Sequence, residues 1–259
     1  MSQTFNNVHP NARIGENVTI DSFVTIYEDI EIGDGTWIGP NVVIMDGARI
    51  GKDCKIFPGA VIAGIPQDLK FNGEITTVEI GDNTSIREFC TVNRGTASKG
   101  RTVVGSDCLL QSYSHIAHDC FLKDNVILGS YAGLAGEVEV DEFAIVSPYS
   151  AVHQFSKIGK HAFIGGGSLV RKDIPPYVIA ANEPLSYAGV NSVGLRRRGF
   201  SNEKINEIQD IYRHIFQKGM NISQALDLIE KEMAESDERN IILQFIRASD
   251  RGIIRGIQD

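Results

Sequence analysis

The chain lacks most features that would staple it, anchor it or send it to nucleic acid. Its 259 residues include four cysteines, Cys54, Cys90, Cys108 and Cys120, and no two form a CxxC pair. That spacing offers no paired-cysteine motif, and scattered reduced thiols are expected. No uninterrupted apolar run is long enough to cross a bilayer. Residues Met1 to Pro10 lack the charged segment and apolar stretch of a signal peptide. A soluble, cytoplasmic protein without stable membrane insertion is expected. Basic residues are outnumbered, 25 Lys and Arg against 33 Asp and Glu, for a net charge of −8. That balance argues against a general nucleic-acid binder, although a site reads local charge and not the total. With 42% hydrophobic and 22% charged residues there is no low-complexity signature either.

What the chain has is a period of six. Isoleucine recurs every sixth residue from Ile14 to Ile62, and Val8 fits one step earlier. Ile80, Ile86 and Val92 continue the series, and an unbroken run of aliphatics extends from Val104 through Ile116, Leu134 and Val152 to Val170. An α-helix is excluded, because six steps of about 100° carry each aliphatic to a new face. Six residues suit one short strand plus one tight turn, and the strand period of two divides six. Three hexads close one triangular coil. Residues i and i+18 then stack one strand spacing apart, ~4.8 Å. Glycine directly follows many of the aliphatics, as at Gly15, Gly33, Gly51, Gly105 and Gly159, and is expected to supply the turn conformation of the corners. A parallel β-helix over residues 8–170 is predicted, each buried isoleucine contributing roughly 1.5–3 kcal/mol and each coil supporting its neighbours.

Two segments break the period, residues 63–79 and 93–103. In a solenoid such insertions become loops on one face, where function concentrates. After Val170 a stretch with three of the eight prolines reads as an extended crossing segment. Three helices are predicted beyond it. The first is capped by Ser201 and runs to about Lys218, with Ile205, Ile208, Ile211, Tyr212 and Ile215 on its apolar face and Gly219 at its end. The second follows Ser223, and the third contains Ile241, Ile242, Phe245 and Ile246. The expected organisation is a β-helix domain over 1–190 and a helical domain over 191–259.

Three of the six histidines lie in two dense motifs, HIAHDC with His115, His118 and Asp119, and AVHQF with His153 and Gln154. The inward repeat positions there belong to Ile116 and Val152, so these histidines lie on the outer surface or at corners. Gly136 comes three hexads, one full coil, after His118 and should stack directly on it. A histidine beside a glycine N–H has the form of a base next to an oxyanion donor. Asp119 would orient the imidazole or cap its own turn.

The hexad solenoid, the QDLK loop (Gln67, Asp68, Leu69, Lys70), HIAHDC, AVHQF, PPYVIA and GLRRRGF, in this order, resemble the UDP-N-acetylglucosamine O-acyltransferase family, which opens lipid A synthesis in Gram-negative bacteria. The resemblance spans nearly the whole chain. It implies a left-handed β-helix, a homotrimer and active sites in clefts between subunits. It makes His118 the general base that takes the proton of the glucosamine 3-hydroxyl as that oxygen attacks an (R)-3-hydroxyacyl thioester. A side chain with an ordinary pKa of ~6.5 suits that work. The acyl group arrives on the phosphopantetheine of acyl carrier protein, and neither a metal nor a resident cofactor is implied. The Gly136 N–H holds the oxyanion. Gln67, Asp68 and Lys70 match positions that contact the acceptor UDP-N-acetylglucosamine, and His115, His153 and Gln154 match substrate contacts. Asn191, Arg197 and Arg198 match the nucleotide-binding stretch. Arginines there suit a diphosphate, or serve as a solvated basic run that attracts the acidic carrier protein. Gly166 matches a position that limits acyl-chain length.

The chain departs from the family pattern at Glu137, where histidine is frequent, at Asn93 in place of the histidine of HRGT, and at Pro184 and Val193 in the nucleotide-binding region. These changes leave the base intact and also suit a 3-amino acceptor sugar. A rival reading is a γ-carbonic-anhydrase-like zinc protein using His115, His118 and His153, but that family spaces a ligand pair as H-x4-H and this chain has H-x2-H. A further rival, the later N-acyltransferase of the pathway, usually carries an extra N-terminal uridine-binding domain, whereas here the repeats begin at Val8. A purely structural solenoid would lack the polar insertion at 63–79.

Overall fold

A computed structural model describes residues 5–217 and 219–256. Among the described residues the chain forms three sheets, of nine, eight and ten strands, and four helices. Successive strands visit the sheets in turn. Asn7–Val8 lies in the first sheet, Arg13–Ile14 in the second and Thr19–Ile20 in the third, and Thr25–Ile26 returns to pair with Asn7–Val8. Three hexads make one coil, so Thr25 pairs with Val43 and His115 with Gly133. The result is a left-handed parallel β-helix of triangular section followed by a small helical region.

The repeat aliphatics point inward as expected. Ile38, Ile44, Ile56, Ile62, Ile86 and Leu110 are fully buried. Ile14, in the first coil, keeps 37% exposure because no coil lies beneath it. A second inward column accompanies them. From Ile20 onward the residue four places after each aliphatic is also buried and mostly small, as at Val42, Ala48, Ala60 and Ala132. All four cysteines occupy this column, reduced and buried. They are therefore placed by the period rather than scattered: a strand runs in, out, in, and the inner corner admits only a small side chain.

The corners correct one expectation. None of the glycines directly after an aliphatic has a positive φ. The left-handed residue comes two places later, as at Asn17 (57°), Asn41 (60°), Asp53 (53°), Tyr131 (60°) and His161 (58°). The earlier glycine is needed for close approach, since a Cβ on Gly33 would lie 2.6 Å from the carbonyl carbon of Gly51 in the next coil. Bulky residues are strained in the left-handed region, and here stacking offsets the strain. Phe89, Tyr113, Tyr131 and Tyr149 form a ladder on the corner between the third and first sheets, with centroids 5.1, 4.9 and 5.0 Å apart.

Both insertions leave the corner between the first and second sheets, called here the first corner. Val61 pairs with Thr91, and Thr91 in turn pairs with His115. A plain coil returns to its own sheet after three hexads. The first of these steps takes five hexads and the second takes four, so the excesses are two hexads and one. The loops are shorter than the broken stretches of sequence, because Val61–Gly64, Thr77–Ile80, Thr91–Asn93 and Arg101–Val104 still pair as strands. Only residues 65–76 and 94–100 leave the wall.

Beyond Val170 the expected crossing segment is a hairpin. Val178–Ala181 adds to the third sheet beside Phe163–Ile164, and Ser186–Val190 folds back antiparallel on it. A short helix, α1 (Ser192–Arg197), was not anticipated; Asn191 caps it. α2 (Asn202–Gln217) follows Ser201, whose Oγ accepts from the Lys204 N–H at 3.3 Å, and its predicted face is buried. The predicted end at Lys218 lies outside the described residues. α3 (Ile222–Glu232) starts before Ser223, because the capping side chain is Asn221. α4 (Asp237–Arg247) is capped by Ser236. The Tyr212 hydroxyl donates to the Pro176 carbonyl at 2.6 Å and fastens α2 to the coil. Among the described residues no helix is long and apolar enough to cross a membrane.

Candidate active site at the first corner

The period puts His118 and Asp119 on the first corner, directly after His115–Ile116. Asp119 has a φ of 60°, a conformation that Asp tolerates well. Its carboxylate is fully buried and saturated. It accepts from the Thr96 N–H (2.9 Å), the Thr96 hydroxyl (2.6 Å) and the Lys99 N–H (3.2 Å), all in the 94–100 loop, and lies 2.9 Å from His118 Nδ1. Its own N–H donates to Thr102 Oγ1 at 2.8 Å. So Asp119 both orients the imidazole and caps a turn, but the turn is that of the insertion one coil earlier. A buried carboxylate can only accept, which puts the His118 proton on Nδ1 and a lone pair on Nε2. The loop covers His118 to 8% exposure.

Nε2 faces Asp68 of the 65–76 loop at 3.8 Å. Asp68 shapes that loop as an Asx turn, since its Oδ1 accepts from the Lys70 N–H at 2.9 Å. Gln67 and Lys70 are exposed beside it. The loop is tied to the wall by Asn93, whose Nδ2 donates to the Ile65 carbonyl, and by Arg94, whose guanidinium lies over the Phe71 ring.

One coil on, Gly136 stacks on His118. A Cβ there would lie 2.5 Å from His118 Cε1 and 2.6 Å from Nε2. The ladder uses the N–H groups on either side, Ala135 to Val152 O and Glu137 to His118 O, both 3.0 Å. Among the described residues nothing accepts from the Gly136 N–H. At equivalent positions on the next corner a side chain takes that N–H, as Asp34 does for Glu16 and Asp124 for Ser106. The first corner has no such acceptor at this level, so a donor remains beside the histidine.

His115 stands on the outer face of the first sheet, with Nδ1 2.7 Å from Thr91 Oγ1, and burial lowers its pKa. His153 and Gln154 follow on the first corner above Gly136. His153 is exposed, and its Nδ1 lies 3.1 Å from the Gln154 carbonyl and 3.2 Å from Arg251 Nη2. The remaining predicted residues lie elsewhere in the chain. Asn191, Arg197 and Arg198 gather at the corner between the second and third sheets. There the buried Asn191 side chain donates to the His161 carbonyl and accepts from the Gly194 N–H. Arg198 lies over the Phe143 ring, and Arg197 is exposed. Gly166 is on the corner between the third and first sheets, and a Cβ there would find only the Pro148 carbonyl, at 3.5 Å. Sequence reasoning missed Thr96 and Arg251. Thr96 lay in a segment read only as an interruption, and Arg251 in a tail with no pattern.

Among the described residues no three His, Cys, Asp or Glu side chains are grouped so as to hold a metal ion, so the zinc reading of His115, His118 and His153 is not favoured.

Comparison with known proteins agrees with the fold. The model of bacterial transferase hexapeptide repeats matches residues 29–64, and that of UDP-N-acetylglucosamine O-acyltransferase, domain 2, matches residues 173–254. An acyl-(acyl-carrier-protein)–UDP-N-acetylglucosamine O-acyltransferase from Aliivibrio fischeri strain MJ11 is 45% identical over 197 residues, 76% of this chain and 75% of its own. The enzyme of that name from Xylella fastidiosa is 40% identical over 198 residues, again 76% and 75%. A solved UDP-N-acetylglucosamine acyltransferase from Bacteroides fragilis 9343 superposes with a TM-score of 0.96 at 51% identity, covering 98% of this chain and all of the other. The Francisella novicida enzyme gives 0.94 at 37%, covering 98% and 94%. On sequence and on architecture alike, the chain belongs to the UDP-N-acetylglucosamine O-acyltransferase family.

Proposed function

We propose that the chain moves an (R)-3-hydroxyacyl group from acyl carrier protein to the glucosamine 3-hydroxyl of UDP-N-acetylglucosamine, the first step of lipid A synthesis. The observation that carries this is the stacking of His118, whose Nδ1 faces Asp119, against an unclaimed N–H at Gly136 one coil above. His118 Nε2 takes the 3-hydroxyl proton as the oxygen attacks the thioester carbonyl. The Gly136 N–H receives the oxygen that becomes negative. The C–S bond then breaks, and the departing thiolate takes the proton from the imidazolium. Asp119 holds the ring and stabilises its cationic form. Asp68, 3.8 Å from Nε2, is placed to accept from a neighbouring sugar hydroxyl, and Gln67 and Lys70 flank the sugar nucleotide. His115, on the face of the first sheet, and His153 and Gln154, on the first corner, contact the acyl donor and acceptor.

Asn191 and Arg198 lie across the second sheet from His118, on a different corner and one to two coils further on, beside His161 and Phe143, with Arg197 next to them in the chain. Joining the two groups into one site requires a second copy of the chain, which fits the homotrimer of the family resemblance. Arg197 and Arg198 then offer guanidinium groups to the diphosphate. The open ground at Gly166 suits a longer acyl chain.

The test is acyl transfer to UDP-N-acetylglucosamine from 3-hydroxyacyl carrier proteins of rising chain length, with His118→Ala as control. Turnover that the variant loses, with its melting unchanged, supports the reading. Equal turnover by His118→Ala rejects the base, and transfer only to a 3-amino acceptor sugar replaces the ester by an amide.

A further inference from the structure

The histidine of the AVHQF motif has a partner from the far end of the chain. Arg251 Nη2 lies 3.2 Å from His153 Nδ1, 98 residues away in sequence, and 3.4 Å from the Arg171 carbonyl. The placement of Arg251 is heavily built. Asp173, 1% exposed, accepts from the Ser249 hydroxyl at 2.6 Å and from the Lys157 N–H at 2.8 Å. Its N–H donates to the Gly252 carbonyl at 3.1 Å, and its carbonyl accepts from the Ile254 N–H at 3.0 Å. Ile253 and Ile254 are buried at 2% and 3%. Residues 249–254 are thereby clamped across the end of the first corner, with Arg251 turned onto His153.

A guanidinium is always protonated and carries no acceptor. Its N–H can meet Nδ1 only if that nitrogen holds a lone pair. The competing contact, Nδ1 to the Gln154 carbonyl at 3.1 Å, asks for a proton on the same nitrogen and would bring two donors face to face. The charge-assisted bond is the stronger of the two. We propose that Arg251 is a positioning residue that fixes the tautomer of His153, so that the neutral ring carries its proton on Nε2. This inference rests on the reading of His153 as a substrate-contacting residue. His153 then serves as a hydrogen-bond donor through Nε2, suited to a carbonyl, hydroxyl or phosphate oxygen of the bound substrates. Its role is opposite to that of His118, where a carboxylate on Nδ1 leaves Nε2 as the acceptor. Two histidines on one corner receive complementary tasks from an acceptor partner and a donor partner.

The test is a long-range 1H–15N correlation spectrum of the full chain labelled at histidine nitrogen, at about pH 8, above the ordinary imidazole range. The His153 signals are assigned by their loss in His153→Asn. The expected pattern is the Nε2–H tautomer for His153 and the Nδ1–H tautomer for His118. In Arg251→Met the His153 ring should move toward Nδ1–H, released to the Gln154 carbonyl, while His118 is unchanged. Transfer efficiency should fall roughly tenfold, the scale of one charged hydrogen bond, with Arg251→Lys recovering part of it. An Nδ1–H tautomer for His153 in the unmodified chain overturns the proposal outright. So does an unchanged tautomer in a folded Arg251→Met chain. Because the spectrum reads protonation and not turnover, failure of the acyl-transfer reading would leave it intact.

Discussion

Gly136→Ala tests the site with the smallest possible change. The added methyl would lie 2.5 Å from His118 Cε1, where ordinary contact begins at 3.4 Å. One partner must therefore give by about 0.9 Å, the difference between those two distances. The Gly136 backbone is held by the ladder through Ala135 and Glu137, so the imidazole has to move. That ring is tethered to Asp119 at 2.9 Å. A shift of this size lengthens the bond toward an upper bound of roughly 3.8 Å, past the limit of a hydrogen bond. Asp119 cannot follow, because three donors of the 94–100 loop hold it. Displacement of a catalytic group by about 1 Å costs on the order of a hundredfold, and overpacking costs about 1–3 kcal/mol of stability. Initial rates with UDP-N-acetylglucosamine and 3-hydroxyacyl carrier protein, beside a melting curve, measure both. The expected outcome is a rate lower by about two orders of magnitude in a chain that still melts cooperatively. A variant that keeps more than a third of the turnover would show that the imidazole and this backbone do not act together.

Two further expectations concern the scaffold. Gly33→Ala sets a methyl 2.6 Å from backbone atoms of Gly51, which cannot rotate aside, and should lower stability by roughly 1–3 kcal/mol; an unchanged melting temperature would contradict the close approach between coils. His161 is 3% exposed between the Phe143 and Tyr177 rings, and burial, reinforced by Arg198 and Lys160, pushes its pKa down from 6.5 to about 4. The unfolded chain therefore binds this proton first, so stability is complete above pH 6.5 and declines toward pH 4 by about 2–3 kcal/mol once solvent screening is allowed for. Urea unfolding of His161→Phe, compared with the parent across that window, should lack this component, and parallel pH profiles would refute it.

The coil was almost fully legible, because one period dictates burial, stacking and pairing together. Knowing that Ile116 and Leu134 point inward places His118 against Gly136 without further information. The role of the glycines was misread, since sequence shows that a small residue is required but not whether φ or a neighbouring backbone requires it. The second inward column was overlooked because Ala, Ser, Thr, Val and Cys share no chemistry, only small volume. The clamp on Asp119 could not be read from spacing, because Thr96 sits in a loop whose path the period does not set. Arg251 was beyond reach for a similar reason: its contact spans 98 residues and depends on where the tail crosses the coil.

The two insertions lengthen their coils by two hexads and by one, and neither leaves a fraction over. A single residue lost from a wall would turn every later aliphatic to the outside, whereas whole hexads leave the downstream phase untouched. Length variation in such a molecule is quantised. The loops that carry Asp68 and Thr96 have the size of hexads diverted from the wall, so chemistry could be added at one corner while the folding code beyond it stayed in step.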